Sequence, residues 1–129
     1  MLEANRLTKE RVLAAYSALP QITAAQDVYT LIDDGVQCAC GISAVLMAEK
    51  GKSFEEVAEL TTFDATTNAS TADKLAAEIG LSADYIDGFV WGFDQSYEAS
   101  NYYEWIDGYE DGLAAAQAIF GPKKADEAD

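Results

Sequence analysis

The stretch YIDGFVWGFD (residues 85–94) and its echo WIDGYEDGLA (residues 105–114) decide how this chain folds. Each reads as a helix, yet each carries two glycines four apart: Gly88 with Gly92, then Gly108 with Gly112. A glycine in a helix interior costs about 1 kcal/mol relative to alanine, so each pair needs a compensating contact. Positions i and i+4 lie on one face a turn apart. Each pair therefore forms a flat strip that a second backbone can approach closely, as small-residue pairs do between membrane helices. The expected arrangement is a hairpin of the two helices, or a third helix, packed through these strips. Aligning the stretches matches Ile86 with Ile106, Asp87 with Asp107, Phe89 with Tyr109, and the glycines with each other. A local duplication and convergence on one packing solution account for this equally well.

The surrounding apolar residues support two helices. Tyr85, Ile86, Phe89, Val90 and Phe93 share one face of the first. In the second, placed at about 101–120, Tyr102, Ile106, Tyr109, Leu113, Ala116 and Phe120 recur at spacings of three and four and predict a buried stripe.

Outward from this pair, helix signals punctuate most of the chain. Thr8 caps KERVLAAYSAL, and Pro20 follows it. Gly41 opens GISAVLMAEK, which Gly51 closes. SFEE at 53–56 is a capping box, predicting a helix from Ser53 to about Leu60. TTFDATTNAST reads as a threonine-rich loop. Ser70 or Thr71 caps ADKLAAEI, which ends at Gly80, and Ser82 caps the helix of the opening stretch. DVYTLIDDGVQCAC is the candidate for extended structure, with β-branched and aromatic residues around an Asp-Asp-Gly turn. The expected fold is mostly α, a compact single-domain helical bundle over residues 1–121. It has about five helices and a small two-stranded β element near 28–39, and residues 122–129 form a charged tail that frays.

CACGISA at 38–44, YIDGFVWGFD and GYEDGLAAA at 108–116 together resemble small uncharacterised bacterial and phage proteins. Those carry a CALGA-like cysteine segment, then Y-x-x-GF-x-x-GFD, then a late GY-x-DG-x-AA. The resemblance implies shared helix packing through GxxxG and carries no activity with it.

Composition bounds the function. The 129 residues hold 50% hydrophobic side chains, ample for one core without staples. No apolar run approaches the roughly 20 residues that span a bilayer, and the N-terminus lacks the apolar segment of a signal peptide. These features point to the cytoplasm, the host's if the chain is phage-encoded. The formal charge is −15, from 23 acids against 8 bases, with no histidine. Residues 81–129 contribute −9 of it, and no basic side chain lies between Lys74 and Lys123. Such a field repels nucleic acid and anionic membranes and attracts basic surfaces; it also simply keeps a protein soluble.

Specific chemistry is hard to find. Cys38 and Cys40 are too close in sequence for easy disulfide geometry. They are half a zinc site, with no histidine to complete it, although two copies of the chain would supply four cysteines. Cys40 precedes a helix N-terminus, which lowers a thiol pKa, and a buried small hydrophobe is the competing reading. DGYEDG at 107–112 fails as a calcium loop, because the third position is Tyr109 and the twelfth is Ala118. No carboxylate pair is singled out for catalysis, and no glycine loop carries a P-loop lysine. No cofactor is implied.

What remains is a surface. Asp84, Asp87, Trp91 and Asp94 share one stripe of the first helix, and Glu104, Asp107 and Asp111 share another on the second, with Glu110 beside it. Trp91 within a carboxylate row suits a partner bearing arginine and lysine, unless it packs under a loop or against the N-terminal helix. The sequence therefore points to a non-enzymatic acidic binding protein that occupies a basic protein surface. Its concrete form is a nucleic-acid mimic, such as a phage-encoded inhibitor of a host defence nuclease. Two alternatives are a helical homodimer with a structural or assembly role, and a cysteine-dependent metal or redox protein.

Overall fold

The computed structural model describes residues 6–61, 71–96 and 103–121. The loop expected over 61–71, the alternative cap Ser70, the stripe member Tyr102 and the charged tail lie wholly or almost wholly outside these residues. Within them the chain forms α1 (Lys9–Ser17), β1 (Ile22–Ala24), β2 (Thr30–Asp33), β3 (Val36–Ala39), α2 (Gly41–Lys50), α3 (Phe54–Thr61), α4 (Thr71–Ile79), α5 (Ala83–Phe93) and α6 (Tyr103–Phe120). The fold is mostly helical, as expected, with six helices instead of about five and three strands instead of two.

Local chemistry sets most boundaries. The Thr8 hydroxyl accepts from the Arg11 N–H and caps α1, and the Ser82 hydroxyl accepts from the Tyr85 N–H and caps α5. The capping box closes reciprocally: the Glu56 N–H donates to Ser53 Oγ at 3.0 Å, and the Ser53 N–H donates to Glu56 Oε1 at 2.8 Å. In the Asp-Asp-Gly turn both Asp34 and Gly35 have positive φ, as a type I′ hairpin demands, and Asp33 pairs with Val36 across it. The third strand, β1, pairs in parallel with β3, so β3 is central in the order β1-β3-β2.

The core draws on all six helices and on Ile22 and Ala39 of the sheet. Tyr85, Ile86, Phe89 and Phe93 of α5 are buried against Leu7, Val12, Ile42, Val45 and Leu46. The apolar face expected for α5 is thus the observed one. That expected for α6 holds only at Ala116: Tyr109 and Leu113 are half-buried and Ile106 and Phe120 exposed, while Trp105, Gly108, Gly112 and Ala115 are buried. The helix is rotated so that its smallest residues face inward, because contact distance and not side-chain bulk decides this seam.

The glycines explain the rotation. A Cβ added to Gly88 would fall 2.0 Å from the Trp105 carbonyl oxygen, and one added to Gly92 would fall 2.1 Å from that of Tyr109. Reciprocally, a Cβ on Gly108 would fall 2.0 Å from the Tyr85 carbonyl oxygen, and one on Gly112 would fall 2.2 Å from that of Phe89. The strips therefore face each other. Their contacts advance in the same direction along both helices, so α5 and α6 run parallel and do not form the expected hairpin. Each glycine sits on the carbonyl three residues before its aligned counterpart, which makes the two repeats pseudo-symmetric about an axis running between the helices. Cα–H groups pointing at carbonyl oxygens add weak hydrogen bonds to this packing.

Candidate functional site

The eight carboxylate and aromatic positions singled out from the sequence divide by environment. On the outside, Asp84, Glu104 and Glu110 are exposed. Tyr103 and Ile106 are exposed beside them on α6, the tyrosine at 85% of its full accessibility. Trp91 and Asp107 are half-buried. The remaining three acids, also half-buried, accept hydrogen bonds from within the chain. Asp87 takes one from Trp105 Nε1 at 2.9 Å, and Asp94 Oδ1 takes one from the Asp27 N–H at 2.8 Å.

Asp111 is the most engaged. Its Oδ2 accepts from Arg6 Nε at 2.8 Å and its Oδ1 from Arg6 Nη2 at 3.1 Å, a two-point ion pair. The Tyr85 hydroxyl also donates to Oδ2 and itself accepts from the Leu7 N–H at 2.7 Å. This network ties the N-terminal segment to both helices of the pair. It holds the Arg6 guanidinium more firmly protonated, chiefly through the Asp111 hydrogen bond, and burial pushes the Tyr85 hydroxyl up.

Trp105 is the residue that sequence reasoning passed over. Trp91 drew attention because its neighbours are acids, but Trp105 is the buried tryptophan, stacked on Tyr109 with ring centroids 5.4 Å apart. The available signal was alignment with Tyr85: the two occupy equivalent positions, and each donates to an aspartate of the other helix.

Behind the pair lies a cavity of about 80 Å³, lined by Asp27, Val28, Tyr29, Cys40, Ile42, Phe89, Val90, Phe93 and Asp94. Two non-glycine residues in the left-handed region, Asp27 (φ 67°) and Gln95 (φ 55°), flank one end. They are fixed by side-chain bonds: Gln26 Nε2 donates to the Phe93 carbonyl and to Gln95 Oε1, each at 2.9 Å, and Gln95 Nε2 donates to the Gly121 carbonyl at 3.0 Å. Burial raises the Asp94 carboxyl above the usual range, against the opposing hydrogen bond from Asp27. The Tyr29 hydroxyl is pushed up to about 12, mostly by burial, with the charges of Cys40, Asp87 and Asp94 adding to it.

A carboxyl raised in the folded state makes folding disfavour its charged form. The penalty is present above the folded pKa and is relieved as pH falls through it. Asp94→Asn is accordingly expected to exceed the wild type in stability at pH 7, with the gap closing in acid. Urea titrations of both proteins across that range check this; a pH-independent gap would rule out the cause given.

The cysteines are both buried. The Cys40 Sγ lies 3.5 Å from Ser43 Oγ at the start of α2. Backbone amides there favour the thiolate, but burial outweighs them and pushes the thiol up. Native protein is expected to react with a disulfide reagent at least about a hundredfold more slowly than the urea-unfolded chain. Rapid titration of one thiol in the native state would refute this. Among the described residues no three metal-ligating side chains cluster, and no helix is long and apolar enough to cross a membrane. No protein-family model, curated protein or solved structure matches the chain.

Proposed function

We propose that this protein is a non-enzymatic acidic binding protein that occupies a basic surface on a protein partner, as a nucleic-acid mimic does. The observation that supports this is the placement of a base-free, acid-rich sequence on two backbones in direct contact. Asp84, Glu104 and Glu110 are exposed on helices locked by reciprocal glycines, so the charges keep fixed positions. Asp87, Asp94 and Asp107 add to the field; Asp111 is compensated by Arg6 and, with Asp87 and Asp94, braces the fold. Tyr103, Ile106 and the half-buried Trp91 supply apolar area between the charges, and aromatic anchors contribute most where they are desolvated by the partner. A phage-encoded inhibitor of a host nuclease is the concrete form, since the field that draws DNA into a lysine-rich groove draws this protein equally. The motif resemblance to small bacterial and phage proteins is compatible with that origin.

The test is capture from host lysate followed by competition. A mimic retains a nucleic-acid-handling protein that excess duplex DNA displaces, that salt elutes, and that the Asp84→Asn/Glu104→Gln/Glu110→Gln variant fails to hold. Retention that survives both DNA competition and the triple variant would defeat the proposal.

A second reading, a homodimer, is favoured by one observation. Leu31, Ile32 and Val36 on the β2–β3 hairpin are exposed, Ile32 at 61%, and β2 is an edge strand. This reading predicts a dimer insensitive to salt by light scattering, and a monomer for Ile32→Lys.

A further inference from the structure

The cavity behind α5 shares only Asp94 with the acidic-face proposal. Its walls are apolar and aromatic: Val28, Ile42, Val90, Tyr29, Phe89 and Phe93. Among the described residues no lysine or arginine lines it, and the charged groups are the carboxylates of Asp27 and Asp94. Among the described residues, Asp94 Oδ1 accepts from the Asp27 amide while no protein group donates to Oδ2. The Asp94 carboxylate is half-buried, and none of the described residues forms an ion pair with it. Aromatic residues and carboxylates among the walls of an apolar cavity are the ingredients that recognise an organic cation, through ion pairing and cation–π attraction. An anion or a neutral alcohol finds no matching charge there.

We propose that this cavity binds a primary ammonium group on a short alkyl stem, with the ammonium at Asp94 and the stem against Ile42, Phe89 and Phe93. The size agrees. A single water needs roughly 10–15 Å³ on this measure, so about 80 Å³ takes a chain of about five non-hydrogen atoms. The same chemistry comes from two sources, a free alkylamine or the lysine side chain of a protein. The cavity sits at the edge of the acidic helix pair, but it takes its ligand whether or not a protein partner docks on that face.

The experiment is a titration of the isotopically labelled protein with n-butylammonium, 1-butanol and butyrate, followed by amide chemical shifts. n-Butylammonium is expected to shift residues 27–29, 40–42 and 89–94 saturably, with a dissociation constant in the millimolar range. Asp94→Asn should weaken this about tenfold. Val28→Phe, which fills the cavity and keeps the carboxylate, should abolish it. Butanol and butyrate should bind at least tenfold more weakly. Absence of saturable shifts, equal response to the neutral alcohol, or unchanged binding by Asp94→Asn would each overturn the proposal and leave the cavity as a packing gap. An arm with N-acetyl-lysine N-methylamide separates the sources. Comparable binding assigns a lysine side chain and weaker binding assigns a free amine, and both results uphold the cation site.

Discussion

Gly108→Ala is expected to destabilise the protein by about 3 kcal/mol or more, a large share of the roughly 5–15 kcal/mol that holds an ordinary domain folded. Alanine has the better helix propensity by about 1 kcal/mol, so at an exposed helical site the sign would be the reverse. At position 108 the new methyl would lie 2.0 Å from the Tyr85 carbonyl oxygen and 2.9 Å from the Phe89 nitrogen. Both are backbone atoms of α5, which cannot swing aside as a side-chain tip can. The helices must therefore separate along the whole seam, and the contacts of Gly88, Gly92 and Gly112 loosen with them. Pseudo-symmetry predicts the same loss for Gly88→Ala, whose methyl would meet the Trp105 carbonyl. Ala118→Gly, at an exposed position on α6, serves as the control and should cost only about 1 kcal/mol. Urea unfolding followed by circular dichroism reads all three.

Asp111→Ala should cost about 2–3 kcal/mol, the second largest effect. It strips the acceptor from a two-point pair with Arg6 and from the Tyr85 hydroxyl, while that hydroxyl remains fully buried beside the Leu7 amide. The figure stands below that for a fully buried pair because the Arg6 and Asp111 side chains keep 25% and 15% of their accessibility. Arg6→Ala should cost less, since it leaves Asp111 with the tyrosine donor. A double-mutant cycle by chemical denaturation gives the coupling, expected at about 1–2 kcal/mol. Strictly additive losses would mean that the N-terminal segment is held by Leu7 and not by the ion pair.

Much of this was legible in the sequence because local chemistry dictates it. The caps at Thr8, Ser53 and Ser82, the stop at Gly51 and the turn at Asp34–Gly35 depend on neighbours within a few residues. β1 was not legible: it is three residues long, and it exists only because β3 offers a parallel edge to Ile22–Ala24. The direction of α6 was hidden for a related reason. Four glycines announce a close helix contact, but strips pair equally well in either direction, and only the chain between the helices decides.

The rotation of α6 misled a reading based on bulk. Ile106 and Phe120 look like core residues beside Gly108 and Ala115, yet the seam selects for small residues. The acidic stripes followed from helical spacing alone and were incomplete as chemistry. Spacing puts Asp84, Asp87 and Asp94 on one line, but it gives no notice that Trp105 reaches Asp87, that the Asp27 amide reaches Asp94, or that Arg6 crosses the molecule to Asp111. The cavity was invisible for the same reason, since its walls come from a loop, the start of α2 and the end of α5.

The acidic platform and the glycine seam rest on α5 and α6 lying parallel with their glycines interlocked, and nuclear Overhauser spectroscopy tests that most directly. The account predicts cross-peaks from the α protons of Gly88 to the Tyr109 amide and of Gly92 to the Leu113 amide. It predicts the reciprocal pairs as well, Gly108 with Phe89 and Gly112 with Phe93. Cross-peaks in the opposite order, Gly88 with Leu113 and Gly92 with Tyr109, would establish an antiparallel pair and contradict the platform on which the acidic surface is built.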